Sequence, residues 1–141
     1  MRFNFDMDGT IANLYAVEGW LQMLQAENPK PYAIAKPLVN MARLAKALNK
    51  ATRNGHEIVV ISWGAKNGSA EYLNEVTAAK REWLKRHLPS VKWTEIFVVP
   101  YGTPKNSVTS GILFDDEERN LTQWGDGAFP PSEIFAKLAI A

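Results

Sequence analysis

Four short apolar runs divide the chain at intervals that suit buried strands. A continuous apolar run of four to eight residues is typical of a parallel strand that is covered on both faces. The first run departs from that pattern, because Arg2 and Asn4 are polar. The strands are predicted at Met1–Asp6, Glu57–Ser62, Glu95–Pro100 and Gly111–Asp116, with a short fifth strand at Ala128–Phe129.

The segments between these runs carry apolar residues at helical spacing. The longest spans about 70 to 88, where Tyr72, Val76 and Trp83 predict a buried face. Its basic residues are expected on the solvated outer face: Lys80, Arg81, Lys85 and Arg86. The other helices are predicted at Ala12–Glu27, Pro37–Arg53, Glu117–Trp124 and Glu133–Ile140, the last with Ser132 as its cap. Strands that alternate with helices predict an α/β fold with a mostly parallel central sheet.

Acidic and hydroxyl side chains lie where the predicted strands end. Asp6 and Asp8 close the first run, Ser62 closes the second, and Asp115 and Asp116 close the fourth. Parallel sheets bind ligands at the carboxyl ends of their strands, so these side chains are expected to converge. Carboxylates that lie close together are costly unless a cation or a bound proton offsets their charge.

The residues that follow the first carboxylate pair suit a phosphate. Gly9 lets the backbone turn sharply and approach a ligand, because it has no Cβ. Thr10 adds a hydroxyl and exposed backbone N–H groups. The carboxylate pair, the glycine and the hydroxyl together indicate a site for a divalent cation and a phosphate group.

Composition narrows the classes of function. The chain has 141 residues and a formal charge of +1, so its net charge does not favour binding to nucleic acid or to a membrane. It has no cysteine, which removes thiol nucleophiles and cysteine zinc sites. Only His56 and His87 are available for a Ser-His-Asp mechanism, and each is expected to be a structural or a surface residue. No signal peptide or membrane span is predicted, and we expect a cytoplasmic protein.

These motifs resemble those of the haloacid dehalogenase (HAD) superfamily of phosphohydrolases. Asp6-Met-Asp8-Gly-Thr10 resembles its first motif, and Ser62 is similar to its second. Lys105, within Gly102-Thr-Pro-Lys-Asn106, resembles the third motif, and Asp115-Asp116 resembles the fourth. The compact chain is most similar to small phage-type and 5′-nucleotidase-like members. The resemblance implies a three-layer Rossmann-like sandwich, with a minimal helical cap or none.

The resemblance also implies a division of roles. Asp6 is expected to attack phosphorus and form an aspartyl-phosphate, and Asp8 to act as general acid and base. Mg²⁺ is the expected cofactor, because oxygen ligands and phosphate chemistry favour it. The expected metal ligands are Asp6, Asp8 through its carbonyl, and Asp115, Asp116 or both, which would contact the ion directly or through water. The residues expected to hold the substrate are Gly9, Thr10, Ser62, Trp63 and Lys105.

Two departures from the family pattern leave questions open. Lys105 lies only ten positions before Asp115, so Lys66 remains an alternative cation for the phosphate. The segment before the second motif is short, so residues 1–141 are expected to form one domain in which 11–36 is a mini-cap. The site is then either open or closed by another subunit of a homo-oligomer.

Three functions compete. The leading one is hydrolysis of a small phosphorylated substrate such as a nucleotide. The second is removal of phosphate from a polynucleotide end, which the basic face near Lys80–Arg86 favours and the small net charge disfavours. The third is a non-catalytic domain that binds a metal or a protein partner, with Trp20, Trp63 and Trp124 at an interface.

Overall fold

A five-stranded parallel sheet forms the centre of the computed structural model, which describes residues 1–141. The strands are β1 (Arg2–Phe5), β2 (Ala12–Asn13), β3 (Lys36–Pro37), β4 (Glu57–Trp63), β5 (Glu95–Val99), β6 (Ile112–Phe114) and β7 (Ala128–Phe129). The sheet has the order β5-β4-β1-β6-β7, and β2 pairs with β3 separately and antiparallel. The central strand β1 therefore lies between β4 and β6, with Phe5 opposite Val60 and Phe114.

Six α-helices and three 3₁₀ turns connect the strands. The helices are α1 (Trp20–Gln25), α2 (Lys30–Ile34), α3 (Met41–Arg53), α4 (Ala70–His87), α5 (Glu118–Trp124) and α6 (Ile134–Ala139). The 3₁₀ turns are Leu14–Ala16, Lys105–Ser107 and Pro131–Glu133. The predicted α/β class and the parallel sheet are confirmed. None of the helices combines the length and the apolar composition that a bilayer crossing requires.

Two of the predicted helical features are wrong. Residues Ala12–Glu27 form β2, a 3₁₀ turn and the short α1, because Gly19 adopts a left-handed φ of 74° just before α1. Ser132 does not cap the last helix. It lies inside the 3₁₀ turn that Pro131 begins, and α6 starts without a side-chain cap.

Apolar side chains from both ends of the chain share one core. The central strand contributes Phe3 and Phe5, which are at most 2% exposed. They belong to a cluster that contains residues from α3, α4, β4, β6 and α6. This burial is strong enough to hold the end of β1, and the carboxylates that follow it, in a fixed position.

Asn4 is polar and fully buried in β1, yet each of its amide atoms has a partner. Its Nδ2 donates to the carbonyls of Ser110, at 2.8 Å, and Ile112, at 3.0 Å. Its Oδ1 accepts from the Thr109 hydroxyl at 2.9 Å. Asn4 therefore ties β1 to the loop between Lys105 and β6, which explains the polar residue within this strand.

The segment from β2 to β3 leaves the sheet and returns to it. Its second half is tied to the α4 region, since Trp83 Nε1 donates to the Ala35 carbonyl at 2.7 Å and Tyr72 Oη donates to the Asn28 carbonyl at 2.9 Å. The Glu27 carboxylate also accepts from the backbone N–H and the hydroxyl of Ser69. In α1, by contrast, no residue is buried.

Candidate active site

Asp6 lies directly after β1, at the carboxyl end of the sheet. Its backbone N–H still donates to the Phe114 carbonyl at 2.9 Å, so the sheet fixes its position. Its Oδ1 accepts from Lys105 Nζ at 2.9 Å, and its Oδ2 accepts from the Thr10 hydroxyl at 3.1 Å. Asp6 therefore presents an oriented carboxylate, only 7% exposed, to the cavity beside it.

Gly9 allows the fourth motif to approach the first. It has a φ of +83°, and a Cβ at this position would lie 2.1 Å from Asp116 Oδ2. A side chain would therefore be strained and would displace Asp116. The turn at Gly9 therefore leaves no room for a side chain beside the Asp116 carboxylate.

Asp6, Asp115 and Asp116 form a cluster whose carboxylate oxygens lie within 4.8 Å of one another. Burial, with the added effect of Asp6, raises the pKa of Asp115 to about 6 and that of Asp116 to about 7. The part of each shift that comes from neighbouring carboxylates reflects a negative charge that a divalent cation would offset. The carboxylate-only donor set fits a hard cation such as Mg²⁺.

The two acids of the fourth motif have different surroundings. Asp115 is fully buried, and its oxygens accept from Lys105 Nζ at 2.6 Å, Asn120 Nδ2 at 3.0 Å and the Glu117 N–H at 2.9 Å. Asp116 is exposed and lines the cavity, and its Oδ1 accepts from the Thr10 hydroxyl at 3.3 Å. Asp115 is thus occupied by protein donors, whereas Asp116 has free acceptor capacity.

The prediction that Lys80 lies on a basic outer face is wrong. Lys80 is only 1% exposed, and its Nζ donates to Asp8 Oδ2 at 2.9 Å, Ser62 Oγ at 2.5 Å and the Trp63 carbonyl at 2.8 Å. Burial raises the pKa of Asp8, against the opposing charge of Lys80. The loss of Lys80 from the outer face also weakens the case for a polynucleotide surface.

Lys105 is the lysine that contacts the carboxylate cluster. It is 3% exposed and begins the 3₁₀ turn Lys105–Ser107. A turn of three residues is short enough to fit between Lys105 and Asp115, which are ten positions apart. Burial acts to lower its pKa, but the charges of Asp6 and Asp115 outweigh burial and raise it. Lys66 instead is exposed at the mouth of the cavity. The short spacing that made Lys66 an alternative is therefore compatible with Lys105 at the site.

The other residues predicted to hold the substrate take different positions. The hydroxyl of Thr10 is directed at the Asp6 and Asp116 carboxylates. Ser62 is fully buried and accepts from Lys80. Trp63 lies on the cavity wall, where its Nε1 donates to the Thr103 carbonyl at 2.8 Å.

A cavity of about 700 Å³ opens above these carboxylates. Its walls combine the 11–36 segment with the loops that follow β4 and β5. The aromatic residues that line it are Tyr15, Trp20, Tyr32, Trp63 and Tyr101. Trp63 and Tyr101 lie with ring centroids 4.9 Å apart, and the Arg119 guanidinium lies 4.6 Å from the Trp63 ring. Such walls suit a flat or apolar group attached to a phosphate.

Sequence reasoning missed two residues of this site. Lys80 follows Tyr72 and Val76 at intervals of four and precedes Trp83 by three, so it lies on the apolar stripe of α4. That spacing was the signal that could have found it. Asn120 is 3% exposed in α5, and its Oδ1 has no protein donor. Asn120 Nδ2 donates to Asp115 Oδ2, and no pattern in the sequence indicates this contact.

Comparisons with known proteins agree with this architecture. Two solved D,D-heptose 1,7-bisphosphate phosphatases share the fold. The Burkholderia thailandensis structure has a TM-score of 0.50 and 16% identity, over 86% of this chain and 69% of that one. The B. bronchiseptica structure, complexed with magnesium and phosphate, has a TM-score of 0.53 and 14% identity, over 97% of this chain and 87% of that one.

Sequence comparison identifies the family. No curated protein sequence matches significantly. A family model described as 5′ nucleotidase, deoxy (Pyrimidine), cytosolic type C protein matches residues 36–128, which is more than half of the chain and includes Ser62, Lys105 and the Asp115–Asp116 pair. The chain therefore belongs to this 5′ nucleotidase family of HAD-like phosphohydrolases, and it is a phosphatase.

Proposed function

We propose that the chain is a Mg²⁺-dependent phosphomonoester hydrolase that acts on nucleoside monophosphates through an aspartyl-phosphate on Asp6. The observation that carries this proposal is the position of Asp6. Its carboxylate lies at the cavity floor, 2.9 Å from the Lys105 ammonium and within the cluster formed with Asp115 and Asp116. An oriented carboxylate beside a cation is suited to attack a phosphate that would otherwise repel it.

The metal site fits Mg²⁺ with a distinct role for each acid. Asp6 and Asp116 would hold the ion through their carboxylates, and Asp8 would hold it through its backbone carbonyl. Asp115, whose oxygens accept from Lys105 and Asn120, would act on the ion through water. Bound Mg²⁺ would neutralise charge on the phosphoryl oxygens and orient the group for in-line attack.

Hydrolysis proceeds in two steps that the residues of this chain can perform. In the first step, an Asp6 oxygen forms a bond to phosphorus while the bond to the leaving oxygen breaks, and Asp8 gives its proton to that oxygen. In the second step, Asp8 takes a proton from water, whose oxygen attacks phosphorus and releases inorganic phosphate and the free Asp6 carboxylate. Lys105 stabilises the negative charge on Asp6 and on the incoming phosphoryl oxygens.

The leaving group faces the 11–36 segment, which we assign as a mini-cap on a single domain. Leu14, Tyr15 and Trp20 of this segment line the cavity opposite Trp63 and Tyr101. A nucleobase can stack against aromatic walls of this kind. The family description names pyrimidine deoxynucleotides, which makes these the first substrates to test. Its word cytosolic supports a cytoplasmic location for this chain.

The test is phosphate release from a panel of purified phosphomonoesters. The panel contains pyrimidine and purine deoxynucleoside monophosphates, a sugar phosphate and a 3′-phosphorylated oligonucleotide, each with Mg²⁺ or with EDTA. We expect the mononucleotides to give the highest kcat/KM, in Mg²⁺ only. Asp6→Asn should abolish release, whereas Asp126→Asn, at an exposed position, should retain it. Activity that survives in Asp6→Asn would reject Asp6 as the nucleophile.

A further inference from the structure

A second buried lysine, Lys80, contacts Asp8, whereas Lys105 contacts Asp6 and Asp115. The Nζ of Lys80 has three donor protons and three acceptors, which are Asp8 Oδ2, Ser62 Oγ and the Trp63 carbonyl. A buried ammonium is costly unless it is paired and fully hydrogen-bonded, and Lys80 meets both conditions. The ammonium also lies 4.9 Å from the centroid of the Tyr32 ring.

The contact with Asp8 selects one of its two oxygens. Oδ2 accepts from Lys80 at 2.9 Å, whereas Oδ1 makes no hydrogen bond with the protein. Asp8 lines the cavity, so the oxygen left free is the one available to a leaving group. Because Lys80 is anchored by α4 and by the Trp63 carbonyl, the carboxyl group of Asp8 has little freedom to rotate.

The contact with Ser62 has a similar effect on a hydroxyl proton. Lys80 donates to Ser62 Oγ, so the proton of this hydroxyl must point away from the ammonium. Ser62 is fully buried and does not line the cavity, so this contact anchors Lys80. The Ser62 hydroxyl and the Trp63 carbonyl together hold the ammonium beside Asp8.

We propose that Lys80 is a positioning residue that holds Asp8 Oδ1 towards the leaving oxygen. The proposal rests on the proposed function, in which Asp8 protonates the leaving oxygen. The two buried lysines then have separate tasks. Lys105 serves the nucleophile and its neighbouring acid, and Lys80 serves the acid–base residue.

The dependence on leaving group tests this role. Departure of a nucleoside alkoxide requires a proton from Asp8, whereas the 2,4-dinitrophenolate group leaves without one. The ratio kcat/KM covers only the steps up to release of the leaving group. For Lys80→Met, we expect kcat/KM on a deoxynucleoside monophosphate to fall about 100-fold and on 2,4-dinitrophenyl phosphate to fall about 5-fold. The loss on the aryl ester is smaller because departure of its leaving group needs no proton from Asp8.

Lys85→Met is the matched control, because Lys85 lies on the same helix but is exposed. It should retain wild-type values on both substrates. Equal losses on the two substrates in Lys80→Met, or no loss on either, would overturn the proposal. A wild-type chain that hydrolyses neither substrate would instead overturn the proposed function, and the role of Lys80 with it.

A double variant keeps the test decisive if Lys80→Met does not fold. Asp8→Asn combined with Lys80→Met removes both members of the buried ion pair, so no unpaired charge remains. If Lys80 acts on the nucleotide reaction through Asp8, this double variant should match Asp8→Asn within about 5-fold in kcat/KM on the nucleotide. A further 100-fold loss in the Asp8→Asn background would show that Lys80 does not act through Asp8.

Discussion

The stability of the metal-free chain should fall as pH rises from 5 to 8. Burial and the charge of Asp6 raise the pKa of Asp115 to about 6 and that of Asp116 to about 7, from an ordinary value of 3.8. The folded chain therefore holds protons over a pH range in which the unfolded chain has already released them. The corresponding stability is present in full below about pH 4 and is lost as pH rises through the folded pKa values.

The size of the loss follows from the same values. Since pH 5 lies about one unit below the folded pKa of Asp115, this residue should lower the free energy of unfolding by about 1.4 kcal/mol between pH 5 and pH 8. Asp116 is exposed, and solvent screening reduces its share, so we expect a total of about 2–3 kcal/mol. His87 opposes this trend, because burial and Arg86 lower its pKa and its contribution increases with pH.

Urea unfolding in EDTA at pH 5, 6, 7 and 8 measures the effect, with His87→Gln as the background that removes the opposing group. The midpoint should move down by about 1 M urea across this range. Mg²⁺ should stabilise the chain more at pH 8 than at pH 5, because protons compete with the metal for these carboxylates. A midpoint that is constant or increases in EDTA would refute the reasoning.

Three further substitutions, the first with Gly55→Ala as its control, test other contacts of the chain. Gly9→Ala should cost about 1–2 kcal/mol and lower phosphate release at least about tenfold, because its Cβ would displace Asp116. Gly55→Ala, with a φ of +86° and no atom within 4 Å of a Cβ, should cost stability alone, and equal activity in the two variants would contradict us. Lys105→Met should cost about 3–5 kcal/mol in EDTA at pH 8, and a loss below 1 kcal/mol would show that the ion pairs matter little. Asn4→Leu should cost about 2–3 kcal/mol in urea unfolding, because the Thr109 hydroxyl and the Ser110 carbonyl lose their partner, and a loss below about 0.5 kcal/mol would contradict this.

The sheet was predictable from the sequence because burial on both faces demands continuous apolar runs. The run Ile58–Ile61 is fully buried in β4, and the carboxylates after β1 and β6 meet at the same edge, as parallel topology requires. These features depend on local pattern and on a general rule about strand ends. They predict that Asp6, Asp115 and Asp116 lie together in one acidic cluster, without any knowledge of their contacts.

The sequence does not show which residues depart from these local patterns. Lys80 is followed at once by Arg81, and the pair suggests a solvated face, but only Arg81 is exposed. The apolar spacing across Ala12–Glu27 similarly suggests one helix, although Gly19 interrupts it and the segment folds back on the cavity. In each case a tertiary contact outweighs the local preference of the segment.

The buried amide of Asn4 also bears on how the chain avoids a misaligned sheet. Phe3 and Phe5 lie on one face of β1 and are buried alike, so hydrophobicity alone would tolerate a slip of the strand by two residues, which keeps every side chain on its face. A slip would leave the amide of Asn4 and the hydroxyl of Thr109 in the core without partners, at a cost of about 1–3 kcal/mol for each group. The same slip would move Asp6 by about 6.6 Å away from Lys105. A side chain that takes no part in the chemistry thus makes the catalytically competent alignment of the strand the one the chain selects.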